Sequence, residues 1–202
     1  MFVLAEMTKT LRVPPHRFGI NLNEAIAEDL TKTLVGKVIK EVGLCIALFD
    51  ITCIKESFIL PGDGAAHTKV NFRLVVFKPF SEEVILGKIK NCSEEGVRVT
   101  LGFFDNIIIS PESLQQPCRY DEDEKVWIWE YESKDGKHDL FMDPGEPIRF
   151  RVTGNKFVET IPCDSKPEEQ ESSETTEKEK IAPYTITASI SEPGLGLVSW
   201  WT

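Results

Sequence analysis

Apolar residues recur along this chain at strand-like and helix-like spacings, and the order of those rhythms divides its 202 residues in two. Phe2-Val3-Leu4-Ala5-Glu6-Met7 and Leu11-Arg12-Val13 form a β pattern that Pro14-Pro15 stops, because proline fixes φ and cannot donate to a ladder. Leu22, Ile26, Leu30 and Leu34 then recur at every fourth position, with Asn21 placed to cap, Glu24 three residues on and Gly36 placed to terminate, which predicts a helix with one packed face. Val38-Ile39 and Leu44 to Ile51 read as two strands around Gly43, and Lys69 to Phe77 as another. The order β-α-β-β-β predicts an α+β sandwich with the helix on one sheet face.

Pro79 ends the run Lys69 to Phe80, and a second strand rhythm begins, so the seam predicts two modules, residues 1–80 and 81–202. Val84 to Lys90 and Gly96 to Gly102, separated by Asn91-Cys92-Ser93-Glu94-Glu95, are a hairpin signal. Further strand candidates are Asn106 to Ile109, Val126 to Tyr131, Ile148 to Val152 and Tyr184 to Ile190, with turns at Asp135-Gly136 and Asp143-Pro144-Gly145. Short strands with frequent turns predict a small closed barrel of the OB-fold kind, and the chain as a whole a β-rich α+β protein. Between Asp164 and Lys180, Glu, Ser, Thr and Lys replace nearly all apolar residues, which predicts a disordered acidic loop before the last strand.

Charge sharpens the division. The net charge of -10 argues against a protein whose main task is gripping phosphates. It is also unevenly spread: ten Lys and Arg against eight Asp and Glu up to Phe80, then thirteen against twenty-five. No apolar run approaches the ~18 residues a membrane span needs, and the N-terminus shows no basic leader, so a soluble, unsecreted protein is expected. Cys45, Cys53, Cys92, Cys118 and Cys163 contain no CxxC pair and read as buried free thiols in a reducing compartment.

Four segments together resemble one family: Met1-Phe2-Val3-Leu4, Ile59-Leu60-Pro61-Gly62-Asp63-Gly64, Val75-Val76-Phe77-Lys78-Pro79-Phe80, and Gly87-Lys88-Ile89-Lys90 through Gly96. The chain is similar to the larger stalk subunit of nuclear and archaeal RNA polymerases. Leu101-Gly102-Phe103-Phe104-Asp105, Pro111 to Pro117, Val126 to Glu132 and Ser189 to Trp201 make the resemblance closest to the RNA polymerase III version. The resemblance implies a tip domain over residues 1–80 that plugs into the polymerase core and an OB domain over 81–202 near the RNA exit path. It further implies a smaller partner subunit, contacts with initiation factors and nascent RNA, a nuclear location, and a non-catalytic role in making transfer RNA, 5S ribosomal RNA and other short transcripts. A free-standing OB-fold RNA-binding factor of translation or RNA decay is the alternative, with an enzyme a distant third.

Candidate site residues follow from both readings. Pro61-Gly62-Asp63-Gly64 lacks the trailing Gly-Lys-Ser/Thr of a phosphate loop, so it reads as a structural turn whose glycines allow close backbone approach; the resemblance places it against the polymerase body. Lys88 with Lys90 and Arg149 with Arg151 share strand faces and, with Arg98, form either a positive stripe for RNA or an ordinary solvated face. Trp127, Trp129 and Tyr131 alternate along one strand, either as stacking platforms for bases or as filler of a core or interface. One ring of Phe103-Phe104 is expected to pack and the other to be exposed. Trp200 and Trp201 dock either on their own chain or on the partner subunit. His16, His67 and His138 are scattered, Asp121-Glu122-Asp123-Glu124 reads as a solvated turn, and Ser113 and Ser199 lack the glycines of a nucleophile elbow, so neither cofactor, metal nor catalytic residue is expected.

Overall fold

A computed structural model describes residues 1–133, 136–158 and 183–201. The predicted acidic loop at 164–180 and Cys163 lie outside the described residues. The chain forms two compact units, Met1–Pro79 and Phe80–Thr202.

The first unit is a four-stranded antiparallel sheet with one helix. β1 (Phe2–Val13) alternates strictly, its even-numbered side chains exposed and its odd-numbered ones turned inward, and it ends at Pro14. α1 (Leu22–Leu34) starts where Asn21 Oδ1 accepts the Asn23 amide at 3.1 Å, which satisfies one of the free N–H groups of the first turn. Arg17, just upstream, pairs with Asp29 at 2.7 Å and Glu28 at 2.8 Å and so fixes the entry to the helix. β2 (Val38–Ile39), β3 (Gly43–Ile59) and β4 (Ala66–Phe77) complete the sheet in the order β1-β4-β3-β2. The β-α-β-β-β order is therefore as expected.

Two details differ from the sequence reading. Leu22, part of the predicted apolar stripe, is exposed, so the packed helix face is Ala25, Ile26 and Leu30. Of these, Ile26 and Leu30 cluster with Leu11, Val13, Cys45, Val70, Phe72, Leu74 and Val76, and burying each contributes about 1.5–3 kcal/mol. β3 also continues eight residues past Ile51, because pairing with β4 from Ser57↔Thr68 to Ile59↔Ala66 supplies the backbone partners that its polar stretch Thr52 to Ser57 does not advertise.

The second unit is a closed five-stranded barrel. β5 (Val84–Ser93), β6 (Gly96–Thr100), β7 (Ile107–Ile109), β11 (Pro147–Phe157) and β12 (Tyr184–Ser189) pair in the circuit β5-β6-β7-β12-β11 and back to β5. All contacts are antiparallel except β7 with β12. Alternating residues point inward, among them Ile85, Ile89, Val97, Val99, Ile107, Phe150, Val152, Tyr184 and Ile186, all buried. Gly96 closes the β5–β6 turn with φ +131°, and a Cβ there would lie 2.1 Å from the Ile109 carbonyl oxygen, so no other residue fits where β6 meets β7.

Not every predicted strand joins this barrel. β9 (Val126–Ser133) is instead the centre of a separate antiparallel sheet with β8 (Cys118–Asp121) and β10 (Gly136–Phe141), inserted between β7 and β11. The reason is that Val126, Trp127, Ile128 and Trp129 are buried on both faces of the strand, at 4, 7, 2 and 9% exposure. Trp127 Nε1 donates to the Ser93 carbonyl at 2.9 Å and so ties this sheet to the β5–β6 turn. A last short strand, β13 (Gly196–Leu197), adds to β11, and a 3-10 turn from Val198 to Trp201 follows.

Candidate functional surfaces

The Pro61-Gly62-Asp63-Gly64 segment is the turn of the long β3–β4 hairpin. Arg12 and His67 sit directly opposite each other on β1 and β4, and both reach Asp63 in the turn. Arg12 Nε donates to Asp63 Oδ2 at 3.0 Å, its Nη2 reaches Oδ1, and His67 Nε2 lies 2.8 Å from Oδ2. The hydrogen bonds from Arg12, and then from His67, hold the Asp63 carboxyl well below the usual carboxylate range. Within the chain, a Cβ added at Gly62 would meet nothing within 4 Å and one at Gly64 only a Pro15 side-chain atom at 3.9 Å. Their positive φ values, +90° and +66°, are what call for glycine. The clamped turn presents Phe58, Ile59 and Leu60, which are 51, 62 and 45% exposed, with Phe58 stacked on His67. Sequence reasoning named this turn but passed over the apolar triplet, whose signal was three consecutive apolar residues ahead of Pro-Gly with no partner pattern to bury them.

On the outside of the barrel the five basic residues separate. Lys88 on β5 lies across from Thr100 on β6 and Pro147 on β11, which makes Arg98 and Arg149 its diagonal neighbours. Lys88 and Arg98 are exposed and make no ion pair among the described residues. Lys90 is paired with Asp105 at 2.7 Å, and Thr100 Oγ1 donates to the same carboxylate. Lys90 and that hydroxyl keep the Asp105 carboxyl low. Arg151 is held by Glu82 at 3.0 Å and Glu192 at 2.7 Å, and Arg149 reaches the Gly194 carbonyl at 3.4 Å. Two members of the expected stripe thus brace the segment leading to β13, and the exposed cationic group reduces to Lys88, Arg98 and the outer part of Arg149. In the loop after β6, Phe103 is exposed while Phe104 packs on Tyr184.

The aromatic residues gather elsewhere. Trp127 packs against Tyr120, and Trp129 lies 5.1 Å from Tyr131, 5.1 Å from Trp200 and 6.5 Å from Trp201 between ring centroids. Trp201 Nε1 donates to the Leu195 carbonyl at 2.9 Å. Gly196 is needed because a Cβ there would lie 2.6 Å from the Trp200 ring. Trp127 and Trp129 have their faces covered by their own chain, so of the three alternating rings Tyr131, at 44% exposure, is the one open to a ligand.

The remaining sequence features are accounted for locally. Asp121 Oδ1 accepts the Asp123 amide at 3.0 Å, so the acidic run forms the β8–β9 turn. Cys45 and Cys92 are buried, whereas Cys53, expected to be buried, is exposed on the polar half of β3. No helix among the described residues is long and apolar enough to cross a membrane.

Comparison with known proteins adds to this geometry. A family model described as RNA polymerase III subunit Rpc25 matches residues 83–201, and one described as the SHS2 domain found at the N terminus of Rpb7p and Rpc25p matches residues 8–64. The DNA-directed RNA polymerase III subunit RPC8 of Bos taurus is 58% identical over 202 residues, covering 100% of this chain and 99% of that protein. Its namesake from Schizosaccharomyces pombe is 41% identical over 203 residues, covering all of both chains. The RNA polymerase II subunit RPB7 of Saccharomyces cerevisiae is 33% identical over 104 residues, which span 50% of this chain and 61% of that protein.

Proposed function

Since the chain belongs to the RNA polymerase III subunit Rpc25 family, we propose that it acts as a non-catalytic stalk subunit that docks through the β3–β4 hairpin and meets other partners through its barrel. The observation that carries this reading is the match at 58% identity over all of this chain and 99% of its relative, across both units. The free-standing RNA-binding alternative has no such support.

Each surface takes a role on that basis. The first unit plugs into the polymerase core with Phe58, Ile59 and Leu60 as apolar anchors and Pro61, Gly62, Asp63 and Gly64 as the turn that presents them. A smaller stalk subunit pairs with the chain, and initiation factors contact the assembled stalk. Nascent RNA crosses the outer barrel face at Lys88, Arg98 and Arg149. The location is nuclear, where RNA polymerase III makes transfer RNA, 5S ribosomal RNA and other short transcripts.

Affinity purification of the tagged chain tests the reading. Co-elution of the large polymerase III subunits is expected, and recovery with ribosomes or an RNA-decay complex instead would overturn it. For the RNA surface, reversing charge at Lys88, Arg98 and Arg149 lowers crosslinking of the assembled stalk to nascent RNA, and unchanged crosslinking removes that part of the proposal.

A further inference from the structure

The aromatic cluster of the second unit uses only part of its hydrogen-bonding capacity. Trp127 Nε1 donates to the Ser93 carbonyl and Trp201 Nε1 to the Leu195 carbonyl, both at 2.9 Å, as tryptophans held in place by packing ordinarily do. The indole N–H groups of Trp129 and Trp200 and the hydroxyl of Tyr131 meet no partner among the described residues, and none of the three is sealed from solvent. Trp129 is the telling case. Its side chain is buried, yet its one polar atom reaches the surface and bonds to nothing there.

The surface around these donors is uneven. Tyr131 and Trp200 each lie 5.1 Å from Trp129 between centroids, and Trp201 lies at 6.5 Å, with the rings tilted by 58, 45 and 35°. Tilted rings leave clefts between them rather than a flat platform, and Trp129, touching all three, has no free face for a base. Tyr131 and Trp201 remain open to solvent, and Leu140 and His138 of β10 stand opposite Trp129 and Tyr131 and extend the patch. Charge around it is negative. Arg119 and Lys137, the cations of this sheet among the described residues, are already taken by Glu130, Asp139 and Glu132, whereas the acids of the Asp121–Glu124 turn make no ion pair there.

We propose that this cluster binds a proline-rich segment of another protein, in the polyproline II conformation and with a Lys or Arg beside its prolines. Such a segment has no internal backbone hydrogen bonds, so its carbonyls are free to accept from Tyr131, Trp129 and Trp200. One turn of it, three residues and ~9 Å, keeps those carbonyls within reach of donors on rings spaced by 5.1 Å. Its pyrrolidine rings fill the clefts beside Tyr131 and Trp201, and because it is stiff beforehand it loses little entropy on docking. The acidic turn receives the basic side chain. The same carboxylates repel phosphates, which sets the patch apart from an RNA surface, and it shares no residue with the hairpin or the cationic face.

Nitrogen–proton correlation spectra of the full-length chain resolve its four indole N–H groups and test the assignment. The probe is a synthetic peptide of two Pro-x-x-Pro repeats with a terminal Arg. On titration the Trp129 and Trp200 signals shift and their exchange with solvent slows at least ~10-fold, while exchange at Trp127 and Trp201, already hydrogen-bonded, is unchanged. No response at millimolar peptide overturns the proposal, as does an equal response to a peptide with Ala for every Pro. A response to oligouridylate alone overturns it in favour of RNA. Tyr131→Phe removes one donor and leaves the ring, so the variant melts with the parent and binds the peptide about fivefold more weakly; unchanged affinity overturns the proposal. Purified polymerase that retains the chain binds the peptide as the free chain does. Loss of binding there marks a polymerase subunit as the occupant and overturns the proposal, whereas failure of the chain to enter polymerase bears on the functional reading alone.

Discussion

Trp200→Ala on the full-length chain tests the packing of the C-terminal turn most directly. The Trp200 ring lies against Trp129 at 5.1 Å and against the backbone of Gly196, and it is half-buried. Removing a fully buried Trp side chain costs ~3–5 kcal/mol, so a half-buried one with a tilted aromatic neighbour costs about 2 kcal/mol. The second unit, Phe80–Thr202, has about 120 residues and hence an unfolding entropy near 0.25 kcal/mol/K at the midpoint, so its melting temperature falls by about 8 °C. All four tryptophans, Trp127, Trp129, Trp200 and Trp201, lie in this unit, and thermal melting followed by tryptophan fluorescence therefore reads it alone. The measurement is made without a partner subunit, where a purely intermolecular role for Trp200 has no effect. A variant melting within ~1 °C of the parent refutes the intramolecular packing argument and returns Trp200 to the interface reading.

Other outcomes follow from single features. Gly96→Ala places a Cβ 2.1 Å from the Ile109 oxygen and costs at least ~3 kcal/mol in urea unfolding, whereas Gly102→Ala, also at positive φ but in open space, costs about 1 kcal/mol. Tyr184 is buried, with its hydroxyl donating to Asn155 Oδ1 at 2.8 Å, and burial pushes its ionisation up to about 12. An unfolded tyrosine ionises near 10, so above that pH the unfolded chain releases a proton that the folded one keeps, and stability drops between about pH 10 and 12. Tyr184→Phe removes that drop from the pH dependence of stability. Because the Asp63 carboxyl is depressed, its contribution is present above the ordinary carboxylate value near 4 and is lost as pH falls below it. Protection of the Leu60–Ala65 amides, measured against their intrinsic exchange rates at each pH, falls over that range, and Asp63→Asn lowers it already at neutral pH.

How far the sequence reaches is clearest at particular residues. Asn21 capping a four-residue apolar repeat, and alternation in Ile85-x-Gly87-x-Ile89 and Ile148-x-Phe150-x-Val152, encode local geometry, and each formed the expected helix or strand. The seam at Pro79 coincides with the end of the first compact unit. The basic stripe fared differently, because the pattern gave the face of each cation but not its partner. Arg151 meets Glu82 and Glu192, 69 and 41 positions away, and no local spacing announces such a meeting.

The same limit explains the tryptophans. Alternation placed Trp127, Trp129 and Tyr131 on one side of a strand, yet that strand lies outside the barrel, and Trp200, far along the chain, covers Trp129. Strand and helix periods, caps and breakers act over a few residues, so the sequence by itself determined the helix, most of the strands and their order, but not β8, β10 or β13. Which strand closes the barrel, which charges stay free and which rings stay exposed depend on contacts between distant residues. Those were decided only when the chain closed on itself, where burial and pairing compete across the whole unit rather than along one segment.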